Sequence, residues 1–189
     1  MHLEPIWQAP VQQQVYRELL DAFSYPGQVK KLNALITDHH ALNAVLATLL
    51  DGESRLADIT GQLKPTHWSL LQAQNVEVEE AQFIVADGKQ WTGLHPNLGS
   101  LASPEHGATL ILIVDGFYSQ SDAVSLHLKG PGIATTTMLE VKGLSQQWLE
   151  QRAQWNQHFP LGVDMILVSP NAIVALPRTT HIQVQTKEN

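Results

Sequence analysis

The fold is decided by Val163-Asp164-Met165-Ile166-Leu167-Val168-Ser169-Pro170-Asn171-Ala172-Ile173-Val174-Ala175-Leu176-Pro177-Arg178-Thr179-Thr180-His181-Ile182-Gln183-Val184-Gln185. Residues 163–168 and 172–176 are short apolar runs rich in Ile and Val, the composition of buried strands. Asn171 marks a tight connection between them, and 181–185 predicts a third strand. Just upstream, Ser145 is placed to cap a helix running to about Gln157, with Leu149, Arg152, Ala153 and Trp155 along it. Strands and a helix so close together predict an α/β chain with a mixed sheet and helices on its faces.

The rest of the chain agrees. Val11, Val15, Tyr16, Leu19, Leu20 and Phe23 fall at helical spacing over 11–24, and Pro26-Gly27 stops that helix with a turn pair. Residues 29–32 form a short extended piece. Thr37 or Asp38 is placed to cap a second helix, whose Leu42, Val45, Leu46, Leu49 and Leu50 share one face, and Asp51-Gly52 ends it. A third helix is predicted from Thr66 as cap to about Gln74, through Trp68, Leu70 and Leu71. Residues 81–86 and 108–114 are compact apolar strands. Residues 124–128 alternate Val124, Leu126 and Leu128 against Ser125 and His127, a strand with one wetter face. No linker or repeat divides the chain, so residues 1–189 are expected to form one domain.

Bulk composition excludes several functions. With 189 residues the chain is long enough for one substantial core. Charged residues make up only 15%, which predicts surface hidden against a partner. The net charge is −7 and no basic block occurs, so unaided nucleic-acid binding is not expected. The absence of cysteine removes disulfides, thiolate metal sites and cysteine nucleophiles, and fits a reducing cytoplasm. Residues 1–10 have no apolar signal-peptide core, and no apolar run is long enough to span a bilayer.

The densest polar cluster is Arg178-Thr179-Thr180-His181. Arg178 is suited to a bidentate contact with phosphate, with the Thr179 and Thr180 hydroxyls completing the shell. The competing reading, which we favour, pairs Arg178 with a carboxylate such as Asp164 or Glu105, and lets the threonines begin a strand. Gly130-Pro131-Gly132 after a strand is a candidate anion-binding turn, but it matches neither dinucleotide nor phosphate-loop patterns, and Pro131 removes a donor. A plain tight turn fits better. His39 and His40 are adjacent and point to different sides of a helix, and no paired-histidine metal spacing occurs. A long-range group of His95, His106 and Asp115 is the remaining metal candidate, and no metal site is expected. There is no nucleophile elbow; Ser24, before Tyr25-Pro26-Gly27, is placed to cap a helix end. None of the seven lysines has a recognisable Schiff-base setting.

Several segments resemble one family. They are Tyr16-Arg17, Ala22-Phe23-Ser24-Tyr25-Pro26-Gly27, Leu49-Leu50-Asp51, Glu105-His106-Gly107-Ala108-Thr109-Leu110, Leu128-Lys129-Gly130-Pro131-Gly132-Ile133, Phe159-Pro160-Leu161-Gly162-Val163-Asp164 and Ala175-Leu176-Pro177-Arg178-Thr179-Thr180. Over about residues 10–184 the chain resembles the H subunit of the bacterial carbon–phosphorus lyase system, the PhnH family. Phe23 and Tyr25 depart from the family's usual residues. The resemblance implies a three-layer α/β/α sandwich like the large domain of pyridoxal-phosphate-dependent transferases, without the cofactor site and with no cofactor. It implies a cytoplasmic homodimer within a core complex with the G, I and J subunits. Together with G, I and the ATPase-like L subunit, that family supports formation of alpha-D-ribose 1-methylphosphonate 5-triphosphate from ATP and methylphosphonate. The nucleosidase chemistry is placed on the I subunit, and no catalytic residue carries over to this chain. The expected role is a structural subunit. The alternative is a subunit with its own nucleotide or phosphonate site at Arg178, Thr179 and Thr180.

Overall fold

The computed structural model describes residues 4–36, 41–120 and 122–185. The proposed caps Thr37 and Asp38 and the pair His39-His40 lie outside the described residues.

Among the described residues ten strands form two sheets. They are β1 (Lys30–Lys31), β2 (Arg55–Asp58), β3 (Gln74–Asn75), β4 (Phe83–Asp87), β5 (Thr109–Ile113), β6 (Ala123–Lys129), β7 (Thr137–Lys142), β8 (Asp164–Val168), β9 (Ala172–Leu176) and β10 (His181–Gln185). The larger sheet has seven strands in the order β1-β9-β8-β5-β4-β2-β3. Strands β8, β5, β4, β2 and β3 run parallel, while β9 is antiparallel to both β8 and β1, so the sheet is mixed. The other three strands form a separate antiparallel sheet in the order β10-β6-β7. Among the described residues four α-helices accompany them: α1 (Ala9–Ser24), α2 (Ala41–Leu49), α3 (Pro65–Leu71) and α4 (Gln146–Trp155).

The period-two alternation of the large sheet builds two cores. Ile111, Ile166, Val168, Ile173 and Ala175 point to one face, where Val15, Leu19, Val45 and Leu46 of α1 and α2 cover them. Leu110, Leu112, Met165, Leu167, Val174 and Leu176 point to the other. Strands β8 and β9 therefore contribute buried side chains to both cores, which is why they are apolar at nearly every position.

The second face differs from the expected helical layer. Leu126 and Leu128 of β6, with Leu139 and Val141 of β7, lay the small sheet against it, and α4 adds Trp148 and Leu149. A strand such as β6, with a single apolar row, has no second face to bury, so it suits a covering layer better than the central sheet. Strands β2, β3 and β7 had not been anticipated. The long connection from β4 to β5 crosses the same face without an α-helix, seating Trp91, Leu94 and Leu98 against this core.

Local differences have local causes. Helix α3 begins after Lys64 rather than at Thr66, with Pro65 in its first turn, where a missing N–H costs nothing. It ends at Leu71 because Gln72 takes the left-handed conformation, φ 59°. Ser145 does sit at the start of α4, but its hydroxyl makes no capping bond. In the β8–β9 hairpin the closing bonds come from Ser169: its backbone N–H and its hydroxyl both donate to Ala172 O, at 2.9 and 3.1 Å. Asn171 instead accepts the Leu32 N–H through its carbonyl, at 2.8 Å, which ties β1 into place.

Candidate functional site

The strongest polar cluster lies where β9 turns back toward β10. Pro177 prevents the strand from continuing its ladder, and the Thr180 N–H closes a turn on Pro177 O at 2.8 Å. This turn delivers Arg178 to Asp164, the first residue of β8. The Arg178 backbone N–H donates to Asp164 Oδ1 at 2.7 Å, while Nε and Nη2 donate to Oδ2 at 3.1 and 2.7 Å. Nη1 donates to the carbonyls of Pro104 and Pro160 at 2.9 and 3.1 Å. The side chains of Arg178 and Asp164 are only 13% and 23% exposed, so the charge-assisted bonds are formed largely out of water. Of the two carboxylates considered from the sequence, Asp164 takes the contact; Glu105 is exposed, and its neighbour Pro104 contributes a carbonyl instead.

Three glycines make the close packing here feasible. A Cβ on Gly107 would collide with Gly162 O and stand 3.0 Å from Arg178 Nη1. Gly132, at φ +82°, presses against Ser24 O, while its turn-mate Gly130 leaves no room for a Cβ beside Thr179 O. The Gly130-Pro131-Gly132 turn thus packs between the end of α1 and the Arg178 segment. Ser24 itself donates its hydroxyl to Leu20 O at 2.8 Å, within the helix.

Arg152 was not recognised from the sequence as part of this cluster. It lies in α4, 3% exposed, beneath the turn. Its Nη1 donates to Thr180 O at 3.1 Å, and Nη2 donates to Pro177 O at 2.5 Å and, at 3.4 Å, to Leu176 O. Burial pushes the guanidinium down to about 10, with the nearby Asp164 carboxylate opposing the shift, so it stays charged at neutral pH. The signal was its spacing: Arg152 falls four residues after Trp148 and three after Leu149, on the buried stripe of α4. Thr180 is also buried; its Oγ1 and Arg152 Nε have no hydrogen-bond partner among the described residues. Changing Arg152 to Met keeps the apolar stem and removes the donors, leaving these carbonyls unmet. Chemical denaturation should then show a loss of about 1–3 kcal/mol.

Among the described residues no group of three or more His, Cys, Asp or Glu side chains is arranged to hold a metal ion, and His95, His106 and Asp115 do not form one. The cluster is built from Arg178 on the Asp164 carboxylate and the Pro104 and Pro160 carbonyls, and Arg152 on the carbonyls of Leu176, Pro177 and Thr180. It holds the 104–107, 160–164 and 176–180 segments against one another.

These features define an α/β protein with a mixed central sheet whose densest polar cluster ties its own loops together. The model of the family described as bacterial phosphonate metabolism protein (PhnH) matches residues 6–183, and the chain belongs to that family. It is similar to the putative C-P lyase subunit protein HtxG of Stutzerimonas stutzeri, 44% identical over 180 residues, covering 95% of this chain and 90% of that protein. It is also similar to the alpha-D-ribose 1-methylphosphonate 5-triphosphate synthase subunit PhnH of Rhizobium meliloti (strain 1021). There the identity is 25% over 191 residues, covering 95% of this chain and 92% of the relative. Among the described residues no helix is long and apolar enough to cross a membrane.

Proposed function

We propose that this chain is a structural, non-catalytic subunit of a cytoplasmic carbon–phosphorus lyase complex. In that complex it supports formation of alpha-D-ribose 1-methylphosphonate 5-triphosphate from ATP and methylphosphonate. The observation that carries the reading is the 44% identity, over 95% of the chain, to a protein named as a putative C-P lyase subunit. The internal use of Arg178 supports the non-catalytic part, since a guanidinium already bound to Asp164 and two carbonyls is committed to the fold. We further propose that the whole chain acts as one domain related to the large domain of pyridoxal-phosphate-dependent transferases. In this reading it pairs as a homodimer and assembles with the G, I and J subunits, with the L subunit acting alongside.

The Arg178 cluster suits such a role because of what it presents. It grips the main chain at Pro104 and Pro160, and the nearby Leu101 and Phe159 are the most exposed large apolar side chains described, at 80% and 69%. Gly162 N–H donates to Leu98 O at 2.9 Å, so the two loops are also joined directly. Apolar side chains held outward on fixed loops are suited to burial in a subunit contact. Leu101→Ser combined with Phe159→Ser should change stability by no more than about 0.5 kcal/mol, because neither side chain packs in the core. Co-purification with the partner subunits and growth on methylphosphonate should both fall, while growth on phosphate persists. Unchanged co-purification would remove these loops from the contact. Turnover of ATP with methylphosphonate by the purified chain alone would overturn the non-catalytic reading.

A second reading places a nucleotide or phosphonate at Arg178, Thr179 and Thr180, and the unpartnered Arg152 Nε and Thr180 Oγ1 favour it. Titrating the isolated chain and its Arg178→Ala variant with ATP and methylphosphonate separates the two: saturable binding that depends on Arg178 supports the ligand site.

A further inference from the structure

At the opposite end of the sheet from the start of β8, the adjacent parallel strands β5 and β8 release their chains in different directions. The crevice beyond the carboxyl ends of such strands is where open α/β sheets have room for a ligand. Here it holds a cavity of about 370 Å³. That is within the range of small-molecule sites. Leu42, Leu63, Ile113 and Val168 give it an apolar wall.

Ser169 on its rim is spent on the β8–β9 hairpin, but other polar groups keep capacity that the fold leaves open. Asp115, the second residue past β5, borders this cavity and two neighbouring clefts, one beside Lys31 and Tyr118, the other beside Lys89 and Gly143. Its main chain is fixed, because the Asp115 N–H donates to Lys142 O at 2.9 Å and Gly116 bridges to Lys142. Its Oδ1 pairs with Lys89 Nζ at 2.8 Å, and 36% of the side chain stays exposed. Lys89 already supplies the counter-charge, so Asp115 offers unused lone pairs rather than a demand for another cation. His67 Nδ1 accepts the Lys64 N–H at 3.3 Å. In the neutral ring the proton then sits on Nε2, which makes His67 a donor at the cavity. The side-chain amides of Asn43 and Gln62 also line it and make no hydrogen bond among the described residues. No lysine or arginine lines this cavity among the described residues, and Lys89 beside it is already paired with Asp115, so a phosphate group would meet a carboxylate and no unspent cation there.

A carboxylate with open lone pairs matches two adjacent hydroxyls, the amides and imidazole match ring heteroatoms, and the aliphatic wall matches a flat ring face. We propose that the cavity over the carboxyl ends of β5 and β8, with Asp115 as its acceptor, binds an uncharged ring compound of nucleoside size that carries vicinal hydroxyls. This site is separate from the Arg178 cluster and does not depend on the subunit role.

The test is calorimetric titration of the isolated full chain with adenosine, which combines a flat ring with a cis-diol. One saturable site per chain is expected, with 2′-deoxyadenosine at least tenfold weaker and no competition from inorganic phosphate. Asp115→Asn should weaken adenosine at least tenfold. Asn43→Trp, which fills the cavity from α2, should abolish binding, and it carries the test alone if Asp115→Asn disturbs the strand end. Thermal unfolding of each variant establishes that it is folded, and Asp115→Asn should still co-purify with the partner subunits, which keeps the two proposals separable. No binding at millimolar adenosine would overturn the site. So would binding that survives Asn43→Trp, or displacement of adenosine by inorganic phosphate.

Discussion

Arg178→Ala is expected to lower the stability of the chain by about 3–5 kcal/mol, because it leaves the largely buried Asp164 carboxylate without its partner. The loss is not confined to one ion pair. The guanidinium also supplies donors to Pro104 O and Pro160 O, so three stretches distant in sequence lose a common anchor. Arg178→Lys should recover only a minor part, since an ammonium cannot offer the planar fork that reaches a carboxylate and two carbonyls in different directions. Urea denaturation of the wild type and both variants measures the effect, and the Leu101–Phe159 surface should weaken in parallel in co-purification. A fully stable, fully assembled Arg178→Ala protein that no longer supports growth on methylphosphonate would favour the ligand-site reading.

Trp148→Ala is expected to cost a similar amount, about 3–5 kcal/mol, for a different reason. Trp148 is fully buried beneath the small sheet and meets Trp91 edge to face, with ring centroids 4.8 Å apart. Trp91 comes from the long β4–β5 connection, which has no α-helix of its own to hold it. Truncation therefore opens a cavity and removes one support of that crossing segment, leaving Trp91 its contact with Trp155. Trp148→Phe keeps an aromatic ring but loses the indole N–H bond to Asp87 O, 3.2 Å in the native chain, and should fall between the two. Equilibrium unfolding distinguishes them, and equal stability for all three would show that the packing is more tolerant than this geometry implies.

Much of the secondary structure was legible because its signals are local. The hydrophobic stripe of 11–24 and the Ile/Val runs of 163–168 and 172–176 reflect burial that each segment carries in its own pattern. The missed strand β7 also had a signal, with Leu139 and Val141 buried and Met138 and Glu140 turned away, but it is short and follows a threonine-rich stretch. The partner of Arg178 was harder. Asp164 and Glu105 were equivalent as charges, and the choice depends on where the 104–107 loop runs, which no spacing along the chain encodes. Arg152 was missed because mid-helix arginines are ordinarily solvent-exposed, and only the turn folded over α4 gives this one its acceptors.

By itself the sequence determined that this is an α/β chain with apolar central strands, without cysteine chemistry, and with segments in the order and spacing of the PhnH family. The fold class and the missing thiol chemistry follow from composition, period and local turn chemistry, which act between near neighbours; the family enters only as a resemblance of segments. Tertiary structure decided that the strands divide into two sheets, that β10 joins β6 rather than β9, and that Arg178 closes on Asp164 above a buried Arg152. Strand pairing and buried charge are settled by which surfaces meet across the whole chain. The same alternating segment can cover a sheet or extend it, and the free energy of burial distinguishes the two only once the other layers are in place.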